Sequence, residues 1–195
     1  MHILKSITLI TLSTSLLLGA SQAKKSSELD KIIKTGERGS KLLIQTLGKE
    51  MKSRLKKDGV MKTLDFCTAE AYNITQKVNK KLPKGVRVKR ISAKYRNPVN
   101  SPKDNESAVL ESFLKLKNSN VIMPKQLVEQ IDEKTFKYYK PIFIEDKACL
   151  ECHGTIKDIE IRRAIAQSYP IDSANDYELG DLRGAVVVTI TKSAK

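Results

Sequence analysis

Cys149-Leu150-Glu151-Cys152-His153 brings two thiols and an imidazole together within five residues. C-x-x-C-H is the attachment pattern of c-type haem. Two cysteines three apart on a helical turn can each add to one porphyrin vinyl group, and the histidine that follows supplies an axial nitrogen to iron. The chain has three cysteines and two histidines in all, so the pentapeptide takes most of its soft-ligand chemistry. Three plainer readings compete. A C-x-x-C redox disulfide belongs beside a βαβ pattern, and no such pattern surrounds this one. Zinc wants four ligands, and only Cys67 is left to complete a Cys₃His set. A structural disulfide is the third. One covalent haem c, attached through Cys149 and Cys152 with His153 on iron, is the reading carried forward.

The opposite face of the iron needs a second ligand or stays open. Once a leader containing His2 is removed, His153 is the only histidine, so two histidines cannot ligate within one chain. The alternatives are Cys67, Met51, Met61, Met123, a lysine amine, water or an open site. Cys67 has no partner once thioether bonds use the other two cysteines, and a lone thiol in an oxidising compartment has to be buried or occupied. It can also be a small core residue and nothing more. Met61 would give the His/Met iron of electron-transfer cytochromes, whereas Met51 and Met123 read as core filling.

Attachment of c-type haem in bacteria requires export, and the N-terminus fits that requirement. Within residues 1–23, Lys5 supplies a positive n-region, Ile7–Leu18 form a short apolar core, and Ser21-Gln22-Ala23 is a small-x-small cleavage site, which is signal-peptide grammar. The apolar run is shorter than the roughly 20 residues a spanning helix needs. A periplasmic location with no stable membrane insertion after cleavage is expected. The formal net charge is +14 over 195 residues. Such a surface could steer an acidic redox partner or meet anionic lipid, although the lysines are scattered as on an ordinary solvated surface. Nucleic acid is excluded by compartment.

The elements that must position these residues are legible in outline. Residues 24–58 read as an N-terminal helix, begun by Ser26-Ser27 with Glu28 and Asp30 in its first turn and ended at Asp58-Gly59. Gly36 and Gly39 weaken its early turns or mark a close approach to another backbone. Val60, Leu64, Cys67, Ala71, Ile74 and Val78 step by four and three, one apolar stripe of a second helix that stops at Leu82-Pro83-Lys84-Gly85. Val86–Tyr95 alternates with period two and reads as a half-buried strand. A short helix over Lys103–Lys117 follows. Val121–Met123, Leu127–Ile131 and Thr135–Ile144 read as strands, the last two joined by an Asp132-Glu133-Lys134 turn. A helix over Ile159–Ser168 comes after the haem motif, and Ala185–Ile190 closes the chain as a buried strand. Helices first and then strands, without βαβ alternation, predict an α+β domain on an antiparallel sheet.

Four segments together resemble a family of periplasmic c-type haem domains with a PAS-like fold, found alone or as sensory modules. They are Leu64-Asp65-Phe66-Cys67-Thr68-Ala69-Glu70, Lys94-Tyr95-Arg96-Asn97-Pro98-Val99-Asn100-Ser101-Pro102, Cys149–Gly154, and Tyr177-Glu178-Leu179-Gly180-Asp181-Leu182-Arg183-Gly184-Ala185. They span about residues 40–193. The resemblance implies a PAS-like haem domain over residues 59–195 and a thiolate ligand at Cys67 opposite His153. It implies a haem-based sensor of redox state or of a diatomic gas such as NO or CO, reporting to a signalling partner. A small electron carrier serving a redox partner is the alternative, and no enzymatic role is expected. Ser173-Ala174-Asn175-Asp176 stands where the family tends to be glycine-rich, so this loop is expected to line the haem edge differently.

Overall fold

The computed structural model describes residues 12–193. The first half of the expected signal segment, residues 1–11, lies outside the described residues. Helix α1 (Leu12–Lys81) contains one non-helical residue, Gly59, with φ 78° and ψ −179°. Here the chain doubles back. A Cβ built on Gly39 would meet Leu82 Cδ2 at 3.9 Å, and the Arg54 guanidinium lies 3.9 Å from the centre of the Phe66 ring. Residues so far apart along a straight helix can touch only if residues 12–58 and 60–81 form the two arms of a helical hairpin. Left-handed φ is cheap for glycine alone, which is why the reversal sits where Asp58-Gly59 marks it. Among the described residues no helix is long and apolar enough to cross a membrane.

The sheet has four antiparallel strands in the order β1-β4-β3-β2, with β1 Val86–Ile91, β2 Leu127–Gln130, β3 Thr135–Phe143 and β4 Leu182–Thr191. Both arms of α1 cover one face. Ile32, Leu43 and Val78 pack there against Val86, Val88, Phe136, Tyr138, Val186, Val188 and Ile190. Helix α2 (Glu106–Asn118) covers the other, setting Leu110 and Phe113 against Ile91, Tyr139, Ala185 and Val187. Central strand β4 is therefore covered on both sides, and Ala185-Val186-Val187-Val188 is fully buried. That explains a continuous apolar run where a half-exposed strand would alternate. Helices α3 (Lys147–His153) and α4 (Ile159–Ser168) lie beside α1, where Leu64 packs on Ile165 and Tyr169.

Several boundaries differ from the sequence expectation. α1 runs without a break through Ser26-Ser27. β1 stops at Ile91, because Ser92 turns the chain: its N–H donates to the Asn100 carbonyl, and its hydroxyl lies 2.8 Å from the carbonyls of both Lys94 and Arg183, either of which can accept its proton. α2 begins at Glu106 and not Lys103, since Asp104 adopts φ 52°. Val121–Met123 is not a strand. Asn120 at φ 54° turns the chain out of α2, Pro124 follows with no N–H to donate, and Ile122 stands 95% exposed. The Asp132 turn does form the β2–β3 hairpin, its carboxylate accepting from the N–H groups of Lys134 and Thr135.

Candidate functional site

The pentapeptide makes up the last five of the seven residues of α3. Asp146 caps the helix by accepting from the Ala148 N–H, and its other oxygen pairs with Lys52 of α1 at 2.7 Å. At the far end the Gly154 N–H donates to the Leu150 carbonyl. Leu150 and Cys149 pack on Ile144, Ala174 and Tyr177, which anchors one side of the helix. Cys67, Cys149 and Cys152 form no disulfide and are each half-buried.

His153 is held from behind. Its Nδ1 lies 2.9 Å from the Ala174 carbonyl oxygen. A carbonyl only accepts, so Nδ1 carries the proton and the Nε2 lone pair is free for a metal. Burial, then the charges of Arg183 and Arg96, push the imidazole well below the ordinary histidine pKa, keeping it neutral. The Tyr177 ring meets the imidazole edge-on, with centroids 6.3 Å apart and planes at 87°. This is the arrangement that fixes tautomer and ring orientation in metal-bound histidines.

Arg96, beyond the end of β1, ties the motif to the loop after α4. Its guanidinium makes two bonds of 3.1 Å to the Asp172 carboxylate and donates to the carbonyls of Cys152 at 2.7 Å and Ala174 at 3.1 Å. Arg183 donates to Ser92 Oγ and the Lys94 carbonyl, and with the Lys94 ammonium it flanks the Tyr177 ring. The polar loop after α4 is therefore the layer behind His153. Its contribution comes largely from the Ala174 carbonyl, to which no side-chain signal in the sequence corresponds. Asp172, Tyr177 and Arg183 were likewise unassigned from sequence.

Cys67 comes from the second arm of α1. Its stripe is buried at Leu64, Ile74 and Val78 but only half-buried between them, at Cys67 and Ala71. Burial raises the thiol pKa while the charges of Arg90, Arg96 and Arg54 pull it down, and the net shift is upward. Cys152 is also raised by burial, and it feels the charge of Cys67. Cys67 and the C-x-x-C-H helix thus share one electrostatic neighbourhood. Two of the methionines do not compete well for it. Met61 is 41% exposed, and Met123 packs against the α2 core. Among the basic residues of β1 and the segment after it, Arg87 is exposed, while Arg90, Lys94 and Arg96 face this region. A cleft of about 370 Å³ opens beside the motif, lined by Gly154, Ile156, Ile165, Tyr169, Asp172 and Asp176 among others. It does not include Cys67, Cys152 or His153.

A family model described as Tll0287-like matches residues 19–191. The chain belongs to the Tll0287-like family. A crystal structure of the cyanobacterial haem protein Tll0287 superimposes with a TM-score of 0.58, at 24% identity, over 87% of this chain and 98% of that one. At that identity the likeness establishes a common fold. No curated protein matches the chain. The match of this Tll0287-like chain begins within the first arm of α1, so that arm, like the α3 motif, falls inside the family pattern.

The side chains present suit a haem. Two thiols and a neutral imidazole with a free Nε2 lie on one short helix, a third thiol is near enough to Cys152 to act on its charge, and Arg90, Arg96 and Arg183 bear on the group.

Proposed function

We propose that this protein is a periplasmic, PAS-like monohaem protein that senses redox state or a diatomic gas such as NO or CO. Cys149 and Cys152 would hold the haem by thioether bonds, with His153 and Cys67 as axial ligands. The observation that carries the reading is the His153 Nδ1 bond to the Ala174 carbonyl, which presents Nε2 one residue beyond Cys152. The relationship to a cyanobacterial haem protein supports it. The antiparallel sheet, with first and last strands adjacent, supports the PAS-like description, and the signal grammar of residues 1–23 supports export.

When bound, haem supplies a one-electron couple and an axial position that a gas can take, and a thiolate ligand would set a low potential. The chain's residues divide the remaining work. Ala174 and Arg96 orient the imidazole, and Tyr177 packs its edge. The arm bearing Cys67 continues through Leu64 to α4 and through Val78 to the sheet, so a change at the thiol reaches both. This connection favours a sensor reporting to a signalling protein, with no catalytic role. The electron-carrier alternative draws on the exposed lysines of the hairpin turn, Lys49, Lys52, Lys56 and Lys57, beside the α3 cap, where an acidic partner could dock.

Absorption and EPR spectra of export-matured protein, wild type beside Cys67→Ala, test the assignment. A Soret band, a haem-sized mass increase and altered low-spin signals in the variant are expected. Identical spectra would remove Cys67 as ligand, and bare-polypeptide mass without a Soret band would remove the haem. CO binding to the reduced protein separates the functions: a sensor with a labile sulfur ligand takes it up and a carrier resists it.

A further inference from the structure

The arginines around Cys67 are unequally provided for. Arg96 has the Asp172 carboxylate, and Arg183 has the Ser92 hydroxyl and the Lys94 carbonyl. Arg54 on the first arm of α1 and Arg90 on β1 have neither kind of support. The Nε of each is buried without a hydrogen-bond partner, and neither pairs with a carboxylate among the described residues. Both lie close enough to Cys67 to act on its charge. The face of Phe66, the residue before Cys67, lies against the Arg54 guanidinium and fixes its plane. Arg90 also has the like charge of Arg183 nearby.

A buried guanidinium Nε–H without an acceptor is unfavourable, and for Arg90 a second cation close by makes it more so. The planar forks of arginine match carboxylates two hydrogen bonds at a time. Haem brings two carboxylates, the propionates, into any site that holds it. We propose that Arg54 and Arg90 are the residues that bind the haem propionates, an assignment resting on the haem reading above. Resting on elements other than the helix that carries the thioether cysteines, they would close the haem between α3, the hairpin and β1.

The test uses the full-length, export-matured protein and the variants Arg54→Gln and Arg90→Gln, with Arg87→Gln on the exposed face of β1 as control. Resonance Raman spectra report the two propionate-bending bands, and potentiometry reports the midpoint. Each of the first two variants should shift one band and lower the midpoint, the double variant should shift both bands, and the control should do neither. Arg90→Lys, which keeps the charge and loses the fork, should move its band while leaving the midpoint near wild type. Unmoved bands in haem-loaded variants would overturn the proposal and leave the haem reading standing. So would a midpoint effect that vanishes in a Cys67→Ala background, since the guanidiniums would then serve the thiolate. Wild-type protein that carries no haem overturns both.

Discussion

Arg96 concentrates more of the site's geometry than any other side chain. Its one guanidinium meets a carboxylate and two carbonyls, and one of those carbonyls is the acceptor for His153. It sits 9% exposed, so few of these bonds can be exchanged for water. The R-N-P segment therefore positions the histidine: Asn97 caps the short turn at Pro98–Asn100, and the residue before that cap reaches back to the motif. Lysine keeps the charge but has no planar fork to satisfy Asp172 and the carbonyls together. Arg96→Lys should cost about 2 kcal/mol in urea unfolding, the scale of a charged hydrogen bond lost from a buried group. If the protein holds haem as proposed, the same substitution should broaden the low-spin signals of its EPR spectrum, which a purely structural loss elsewhere would leave sharp. If stability and spectrum are both unchanged, Arg96 does not orient His153.

At the scale of elements, the hairpin works only because its first arm comes very close to the sheet. A Cβ on Gly36 would stand 2.1 Å from Tyr138 Cγ, and Tyr138 is 1% exposed in the middle of the core. Gly48, on the same arm, faces open space. The same substitution should therefore have opposite signs at the two positions. Gly48→Ala gains helix propensity and should stabilise by about 0.5–1 kcal/mol. Gly36→Ala has that gain overridden by overpacking of order 1–3 kcal/mol. Thermal unfolding of both variants measures the difference, and a stabilising Gly36→Ala would mean that the arm is not seated where the structure puts it. These elements also show what sequence can disclose. α4, capped by Asp158, and β4, an unbroken apolar run, declare themselves through local chemistry. The stripe on the second arm located Cys67 on a face, and the break at Gly59 marked where the helix ends. That the break is a full reversal, bringing Arg54 to Phe66, depends on tertiary packing and leaves no local mark. The Ala174 carbonyl is invisible for a related reason, since every residue has one and only the fold decides which is aimed at an imidazole.

Across the whole molecule, the sheet's two faces are closed by different physics. The α1 side is an apolar core, whereas the α2 side includes Glu106, whose side chain is 1% exposed and whose carboxylate joins three elements. It pairs with Lys89 of β1 at 2.8 Å and Lys137 of β3 at 3.2 Å, spanning β4 between them, and accepts from the Lys103 N–H. Sequence would place a glutamate in the first turn of a helix on the surface. Burial raises its pKa, but the bond from Lys89, the Lys103 N–H and the charges of both lysines outweigh that and leave it below the ordinary glutamate value. A carboxyl whose pKa is lowered by folding contributes stability above its unfolded pKa of about 4.3, and that contribution is lost as pH falls through the folded value. Glu106→Gln removes the charge and leaves Lys137, 14% exposed, beside a neutral amide. At pH 7 the variant should be less stable by about 2–4 kcal/mol, toward the range for breaking a buried ion pair. Below pH 4 the gap should close, because wild type then loses what the variant never had. Urea unfolding of both proteins across pH 3 to 7 follows the convergence, and a gap independent of pH would show that Glu106 acts through packing and not through its charge.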